Sequence, residues 1–325
     1  MKKAVLADAG GGLYSDALMK TQVKISTVAD YTCEFGLHEL RARYVESQYA
    51  NHITTDNVLV TSGVKEGLML LALFFQRKEK SVAISDIAWP GFAKIFGGLD
   101  YDIKRYSYTS IRSIEDASKR CSVLIVNNPH NPTGFFFSCA EMKKIVAVTK
   151  ENGCMLIIDE CLAHYSFGDC ERFSAQVDDT HVAVVDSLSK WAGMPGLRVG
   201  FINACKSLID NLVEIKCRFL NPVSSVAQVT AAENMNNFSK WAKAEKEKSK
   251  KVLDTVSGLI AGEGYEVTGL LVQYMWLKAG ERIQNGKLGI QGIEFKVVGG
   301  ETFGADKQYA RFNYRQCEQA LNELV

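Results

Sequence analysis

The sequence predicts an α/β fold in which a mostly parallel sheet is flanked by helices. Short apolar runs have the length of buried strands and alternate with helix-like segments. The runs lie near Val82, Val123, Met155 and Val182. The chain has 325 residues, 47% of them apolar, and can therefore bury a large core in about two domains. We expect a large domain over residues 31–205 and a smaller α/β domain made of residues 1–30 and 206–325.

Polar side chains follow three of these runs, at the point where each predicted strand ends. They are Asn131, Asp159 and Lys190, after the second, third and fourth run. Ligands of open α/β sheets bind outside the carboxyl ends of the strands. These side chains can therefore converge although they are far apart in sequence. The sequence thus predicts one site at this edge of the sheet.

A glycine-rich turn places an amine, two hydroxyls and a guanidinium close together in the sequence. These groups belong to Lys190, Ser187, Ser189 and Arg198. A lysine can condense with an aldehyde, and pyridoxal phosphate (PLP) offers an aldehyde to the amine and a phosphate to the hydroxyls and the arginine. The turn therefore favours a PLP site, although an ordinary loop with a solvated lysine has the same local pattern.

A further anion contact is predicted at the start of an apolar helix over residues 68–75. Gly63, Val64 and Lys65 open this helix, and the free backbone amides of a helix N-terminus bind anions. Ser62 can cap the same helix, and the two roles are compatible.

As an ordered set, these motifs resemble those of the fold-type-I PLP enzymes, specifically the class I and II aminotransferases, from about Tyr31 to the C-terminus. The resemblance implies that Lys190 forms the Schiff base with the cofactor and that Asp159 faces the pyridine nitrogen. A carboxylate there keeps the nitrogen protonated, so that the ring can accept electrons from the substrate α-carbon. It also implies that Asn131 donates a hydrogen bond to the phenolic oxygen of the ring.

The same resemblance assigns the contacts of the phosphate and of the ring face. The expected phosphate contacts are Gly63, Val64, Lys65, Ser187, Ser189 and Arg198. Phe92, two places after Pro90, matches the aromatic residue that stacks on the pyridine ring, and Trp89 is the alternative.

Two more residues are assigned to the substrate and to a second subunit. Arg311 would bind the substrate α-carboxylate in a bidentate pair, with an exposed salt bridge as the alternative. Tyr31 matches the tyrosine that reaches the phosphate of the neighbouring subunit, with a buried strand-edge tyrosine as the alternative. The resemblance therefore implies a homodimer with shared active sites.

The chain departs from the family pattern in two places. Leu162 stands three residues after Asp159, where many relatives carry a tyrosine that hydrogen-bonds the phenolic oxygen. Tyr165 could supply this bond from the following turn. Three consecutive glycines, residues 10–12, stand where relatives usually carry an asparagine-proline substrate loop, which leaves substrate specificity open.

The expected function is that of a PLP-dependent aminotransferase, which moves an amino group between an L-amino acid or similar amine and a 2-oxo acid through the Lys190 Schiff base. Segment 216–228 and the short chain are most similar to the histidinol-phosphate aminotransferase branch, in which Arg218 could meet a distal acid group of the substrate. The same residues would serve a PLP-dependent decarboxylase, lyase or cyclase. A non-catalytic PLP-binding protein is the third alternative.

Composition argues against several other classes of protein. Lysine and arginine, 38 in all, balance 37 aspartates and glutamates, so no basic surface for nucleic acid is expected. Nine cysteines without a C-x-x-C pair and five histidines without H-E-x-x-H spacing predict free thiols and no metal site. The longest apolar run, residues 68–75, is too short to span a membrane. We expect a cytoplasmic protein with small-molecule substrates.

Overall fold

The structure is a computed structural model that describes residues 30–49, 53–76, 80–167, 172, 180–283 and 286–315. Its α-helices are α1 (His38–Tyr49), α2 (Val64–Phe75), α3 (Pro90–Gly97), α4 (Ile111–Ser118), α5 (Cys139–Glu151), α6 (Lys206–Phe219) and α7 (Ser225–Gly262). Its β-strands are β1 (Val58–Thr61), β2 (Ser81–Ser85), β3 (Asp102–Tyr106), β4 (Val123–Asn127), β5 (Met155–Asp159), β6 (Val182–Ser187), β7 (Gly200–Ala204), β8 (Glu266–Leu270), β9 (Met275–Lys278), β10 (Lys287–Ile290), β11 (Ile293–Lys296), β12 (Val298–Gly299) and β13 (Tyr309–Phe312). The four predicted runs are β2, β4, β5 and β6, while the glycines at 10–12 lie outside the described residues.

Seven strands form one sheet in the order β1-β7-β6-β5-β4-β2-β3. The strands from β6 to β3 are parallel to their neighbours, whereas β7 runs antiparallel to both β6 and β1. Consequently β1 has the same direction as β6, and the carboxyl ends of β1, β4, β5 and β6 lie at one edge. The predicted fold class, a mostly parallel sheet flanked by helices, is confirmed.

Helices cover both faces of this sheet, which explains why its central strands are apolar throughout. Along β5, Met155 and Ile157 pack in the cluster that contains α2, α3 and α6 residues. Leu156 and Ile158 point to the opposite face and pack with residues of α4 and α5. A strand that is buried on both faces shows a continuous apolar run instead of an alternating one.

Helix α7 connects the large sheet to a smaller antiparallel sheet of order β12-β13-β9-β8. Its 38 residues span about 57 Å. The first half packs against α1 and beneath the turn after β6, whereas Val256 and Ile260 in the second half pack on the small sheet. Helix α6, which follows the predicted domain boundary at Cys205, packs on the large sheet through Leu208 and Leu212. Of the described helices, including α7, none is both long and apolar enough to cross a membrane.

The two sheets meet at an unusually close backbone contact. A Cβ atom on Gly269, in β8, would lie 1.8 Å from the carbonyl oxygen of Thr133, in the loop after β4. A Cβ on Gly134, which has a φ of 74°, would lie 2.4 Å from the carbonyl oxygen of Leu270. Only glycine allows both approaches. These two close backbone contacts hold the small sheet, which carries Arg311, against the carboxyl edge of the large sheet.

Candidate active site

A cavity of about 570 Å³ opens at the carboxyl edge of the large sheet. Its walls contain most of the residues that the sequence singled out: Val64, Lys65, Asn131, Asp159, Ser187, Ser189, Lys190, Arg198 and Arg311. These side chains come from six segments, which are the start of α2, the loops after β4 and β6, the ends of β5 and β6, and β13. The predicted site residues at the three strand ends therefore share one cavity.

Strand register explains this convergence. Asn127 at the end of β4 is paired with Asp159 at the end of β5, and Asp159 is paired with Val185 in β6. Asn127 also lines the cavity, and sequence reasoning did not single it out. Its side-chain amide donates to the Asp159 carbonyl oxygen at 3.0 Å, and its Oδ1 accepts from the backbone N–H of Asn131 at 2.7 Å. Asn127 thus ties the two strand ends together and orients the loop that carries Asn131.

The carboxylate of Asp159 is buried in a way that suits a cationic partner. Burial and, to a smaller extent, the nearby Asp186 raise its pKa, whereas a hydrogen bond from the Cys161 N–H, 3.0 Å from Oδ1, and the charge of Lys190 lower it. Burial is the largest of these effects, and the pKa is raised overall from 3.8 to about 6. A buried carboxylate with an elevated pKa is stabilised by a neighbouring positive charge. The protonated pyridine nitrogen of PLP provides such a charge, and the residues of this cavity therefore fit the cofactor.

Hydrogen bonds fix both the backbone and the side-chain amine of Lys190. Its carbonyl oxygen accepts hydrogen bonds from the hydroxyl of Tyr165 and from the N–H of Gly193, the latter at 2.8 Å. Its Nζ donates to the hydroxyl of Tyr274 at 3.5 Å. Tyr274 lies in the turn between β8 and β9, carries no recognisable motif, and was missed by the sequence analysis.

The predicted phosphate contacts form a cradle in which two backbones nearly touch. A Cβ on Gly200 would lie 2.7 Å from the Cα of Gly63, which has a φ of 77°. The guanidinium of Arg198 donates to the carbonyl oxygens of Ser62 and Pro195 at 3.1 and 3.0 Å, which braces the loop. Gly63 itself stands behind the cavity wall, next to Arg198, whereas Val64 and Lys65 are on the wall.

Two aromatic rings and one hydrogen bond hold the guanidinium of Arg311 in place. Its Cζ lies 4.4 Å from the ring centre of Tyr274 and 5.0 Å from that of Phe303. Its Nη1 donates to Asn131 Oδ1 at 2.9 Å. Burial lowers the pKa of Arg311 below its ordinary value, yet an arginine keeps its charge in proteins. A buried guanidinium that lines a cavity is suited to bind a carboxylate.

The structure corrects one assignment. Phe92 is 2% exposed and packs in the apolar core of the large sheet, so it does not line the cavity, whereas Trp89 does. The reason is that α3 begins at Pro90, which turns residue 92 toward the sheet. Gly91 makes room for the indole, since a Cβ there would lie 2.1 Å from Trp89. Of the two aromatic candidates, Trp89 is therefore the one on the cavity wall.

Two predicted residues, Tyr31 and Arg218, lie away from the cavity wall. Tyr31 is 83% exposed, which argues against a buried strand-edge tyrosine. Arg218 is on the surface of α6 and lies 3.7 Å from Glu214, one helical turn away. Leu162 lines the cavity as expected, but the Tyr165 hydroxyl is directed to the backbone of Lys190 and does not replace the missing phenol.

Known proteins resemble this chain in sequence and in fold. Aspartate aminotransferase of Sulfurisphaera tokodaii is 24% identical over 91% of this chain and 80% of its own length. A histidinol-phosphate aminotransferase of Clostridium botulinum is 29% identical, but over 58% of this chain and 53% of its own length.

Among solved structures, a mutant of Thermus thermophilus aspartate aminotransferase superposes with a TM-score of 0.81 over all of this chain and 96% of that one, at 17% identity. BacF of Bacillus subtilis with bound substrate has a TM-score of 0.79 at 17% identity, over 93% of this chain and 83% of its own. The family described as aminotransferase class I and II matches residues 15–269. The chain belongs to this family and is a PLP-dependent aminotransferase.

Proposed function

We propose that this enzyme exchanges the amino group of an α-amino acid with a 2-oxo acid, and that Lys190, Asp159 and Arg311 carry the reaction. The observation that supports this assignment is the shared cavity, in which an amine, a buried carboxylate and a buried guanidinium meet. An amine can move the α-proton, a carboxylate can hold the cofactor nitrogen in its charged form, and a guanidinium can bind the substrate carboxylate.

Each residue has a defined task in this proposal. When bound, the cofactor supplies a ring that accepts the electrons released as the α C–H bond breaks. Asp159 keeps the proton on the ring nitrogen, and Asn131 donates to the ring oxygen. Arg311 binds the substrate carboxylate, which presents the α-proton to the Lys190 amine. Ser187, Ser189, Arg198 and the amides of Val64 and Lys65 hold the phosphate.

The cavity wall next to Arg311 suggests what kind of side chain the substrate has. Val298 is the strand partner of Arg311, and Phe303 and Thr302 complete this part of the wall. Apart from the Thr302 hydroxyl, these side chains are apolar and carry no charge that would pair with a second carboxylate. Such a surface stabilises an uncharged side chain more than a second carboxylate. We therefore propose a substrate with an uncharged side chain, although relatives are named for aspartate and histidinol phosphate.

A second copy of the chain is the proposed partner at the surface around Tyr31. Tyr31 is 83% exposed and Phe219, at the end of α6, is 67% exposed. The Gln228 amide donates to Thr32 Oγ1 at 2.8 Å and to the Val223 carbonyl oxygen at 2.7 Å, which holds the segment with Tyr31 near the start of α7. Two exposed aromatic side chains on such an ordered surface favour a protein interface.

The test of catalysis is Lys190→Ala, with the exposed Lys307→Ala as the matched control. We expect Lys190→Ala to bind PLP through the phosphate contacts and to lose turnover, while Lys307→Ala keeps both. Full activity of Lys190→Ala would contradict the proposal. A panel of amino acids with product analysis then names the donor, and loss of carbon dioxide or the absence of stoichiometric amine exchange would indicate a decarboxylase, lyase or cyclase.

The test of the shared active site uses light scattering and mixed subunits. We expect a dimer, and we expect Tyr31→Ala mixed with Lys190→Ala to regain activity, because one site of the mixed dimer then has both intact residues. A monomer of full activity would contradict the shared site.

A further inference from the structure

The hydroxyl of Tyr274 lies next to the amine that is expected to react. Lys190 Nζ donates to it at 3.5 Å. Tyr274 is 1% exposed, and the Cζ atom of Arg311 lies 4.4 Å from its ring centre. One phenol therefore contacts both the amine and the guanidinium of the site.

The backbone that carries Tyr274 is clamped to the backbone of Lys190. Leu271 and Tyr274 close a tight turn through reciprocal hydrogen bonds of 2.8 and 3.1 Å. The side-chain amide of Gln273 donates to the Tyr165 hydroxyl at 2.7 Å, and this hydroxyl donates to the Lys190 carbonyl oxygen. The position of the phenol relative to the lysine is thus determined by contacts on both sides of it.

Leu162 and Tyr274 belong to the same apolar cluster beside the cavity. Leu162 stands where many relatives carry a tyrosine, and its side chain offers the cavity no hydrogen bond. The phenol of this site comes instead from the turn between β8 and β9, on the small sheet. It reaches the lysine nitrogen from there, while Tyr165 is used for the backbone.

We propose that Tyr274 positions the Lys190 amine for proton exchange with the substrate and thereby supplies the phenol that Leu162 lacks. The proposal rests on the role of Lys190 proposed above. The phenol oxygen of Tyr274 accepts a hydrogen bond from the lysine nitrogen, which holds that nitrogen next to the phenol whose ring Arg311 contacts. Titratable groups that act on this amine or on its phenol partner include Asp159, Cys161, Tyr274 and Arg311.

The decisive variant is Tyr274→Phe, which keeps the ring under Arg311 and removes only the oxygen. We expect kcat to fall about tenfold or more, as when one positioned proton-transfer contact is lost, while the KM of the amino acid changes little. In the substrate-free holoenzyme, the pH midpoint of the visible absorption change of the bound cofactor should fall by about 0.5 to 1 unit, the effect of one lost hydrogen bond.

Two matched tyrosine variants serve as controls. Tyr165→Phe removes the hydrogen bond to the Lys190 backbone and should lower the melting temperature without moving the absorption midpoint. Tyr265→Phe removes a hydrogen bond of 2.8 Å to the Gly289 carbonyl oxygen, far from the site, and should leave the midpoint and kcat unchanged.

A wild-type midpoint and kcat in Tyr274→Phe would overturn the role of Tyr274, and so would equal midpoint shifts in Tyr274→Phe and Tyr165→Phe. Either result would leave the proposed function intact, because that function is tested separately by the turnover of Lys190→Ala and by product analysis.

Discussion

Arg311 Nη1 donates a hydrogen bond of 2.9 Å to Asn131 Oδ1, across 180 residues of sequence. The contact joins the small sheet to the loop after β4. It links the residue assigned to the substrate carboxylate to the residue assigned to the cofactor ring. Since the orientation of each depends on the other, loss of one should disturb the binding function of its partner.

Replacing Arg311 with lysine should weaken substrate binding more than cofactor binding. A lysine cannot form a bidentate pair, and the loss of one charge-assisted hydrogen bond raises the KM of the amino acid by about 10- to 100-fold. The dissociation constant of PLP should change much less. Steady-state kinetics and a PLP titration measure both, with Arg218→Lys on the exposed face of α6 as the control. Equal losses of the two affinities would contradict the assignment.

Replacing Asp159 with asparagine should stabilise the apoprotein at neutral pH and weaken PLP binding. The pKa of Asp159 is raised from 3.8 to about 6, so the folded state keeps a proton that the unfolded state releases. Below pH 4 both states are protonated, and the stability is lost as the pH rises through 4 to 6. The loss is on the order of 3 kcal/mol.

Denaturant unfolding of the apoprotein at pH 4 and pH 7 tests this linkage. The stability difference between Asp159→Asn and wild type should be small at pH 4 and favour the variant at pH 7. A variant that is less stable than wild type at both values, with unchanged PLP affinity, would refute the cofactor role of Asp159.

Trp89→Ala should mainly weaken PLP binding, whereas Phe92→Ala should mainly lower the stability of the fold. Trp89 lines the cavity, so its removal should raise the PLP dissociation constant about three- to tenfold with little loss of stability. Phe92 fills the core, so its removal should lower the free energy of unfolding by about 3–5 kcal/mol. A PLP titration of each variant measures the dissociation constant, and denaturant unfolding measures the free energy of unfolding. A reversed pattern would restore Phe92 as the ring-stacking residue.

Gly200→Ala should open the phosphate cradle. Its Cβ would lie 2.7 Å from Gly63, so the two backbones must separate, at a cost of about 1–3 kcal/mol and with weaker PLP binding. Gly258→Ala is the control, because no heavy atom lies within 4 Å of its Cβ on α7. This control should raise stability by about 0.5–1 kcal/mol. Unchanged PLP affinity in Gly200→Ala would show that the close approach is dispensable.

The sequence predicted the strand ends well because their signal is local. Asp159 and Lys190 each follow an apolar run, and parallel pairing brings such ends to one edge. Phe92 was misassigned because the exact start of α3 decides which aromatic side chain turns inward. Tyr274 was missed because its contact with Lys190 depends on how the turn between β8 and β9 packs on the other sheet, which no motif encodes.

Because the turn that carries Lys190 packs on helix α7, this turn cannot complete its packing until α7 has been synthesised. The turn that carries Lys190 packs through Leu188 and Trp191 onto side chains of the first half of α7, up to Ala242. During translation, these apolar residues have no complete surface to pack on until residue 242 has left the ribosome. The loop that is proposed to hold the cofactor ends by residue 200, but its packing is completed only by residues that are made about 40 positions later.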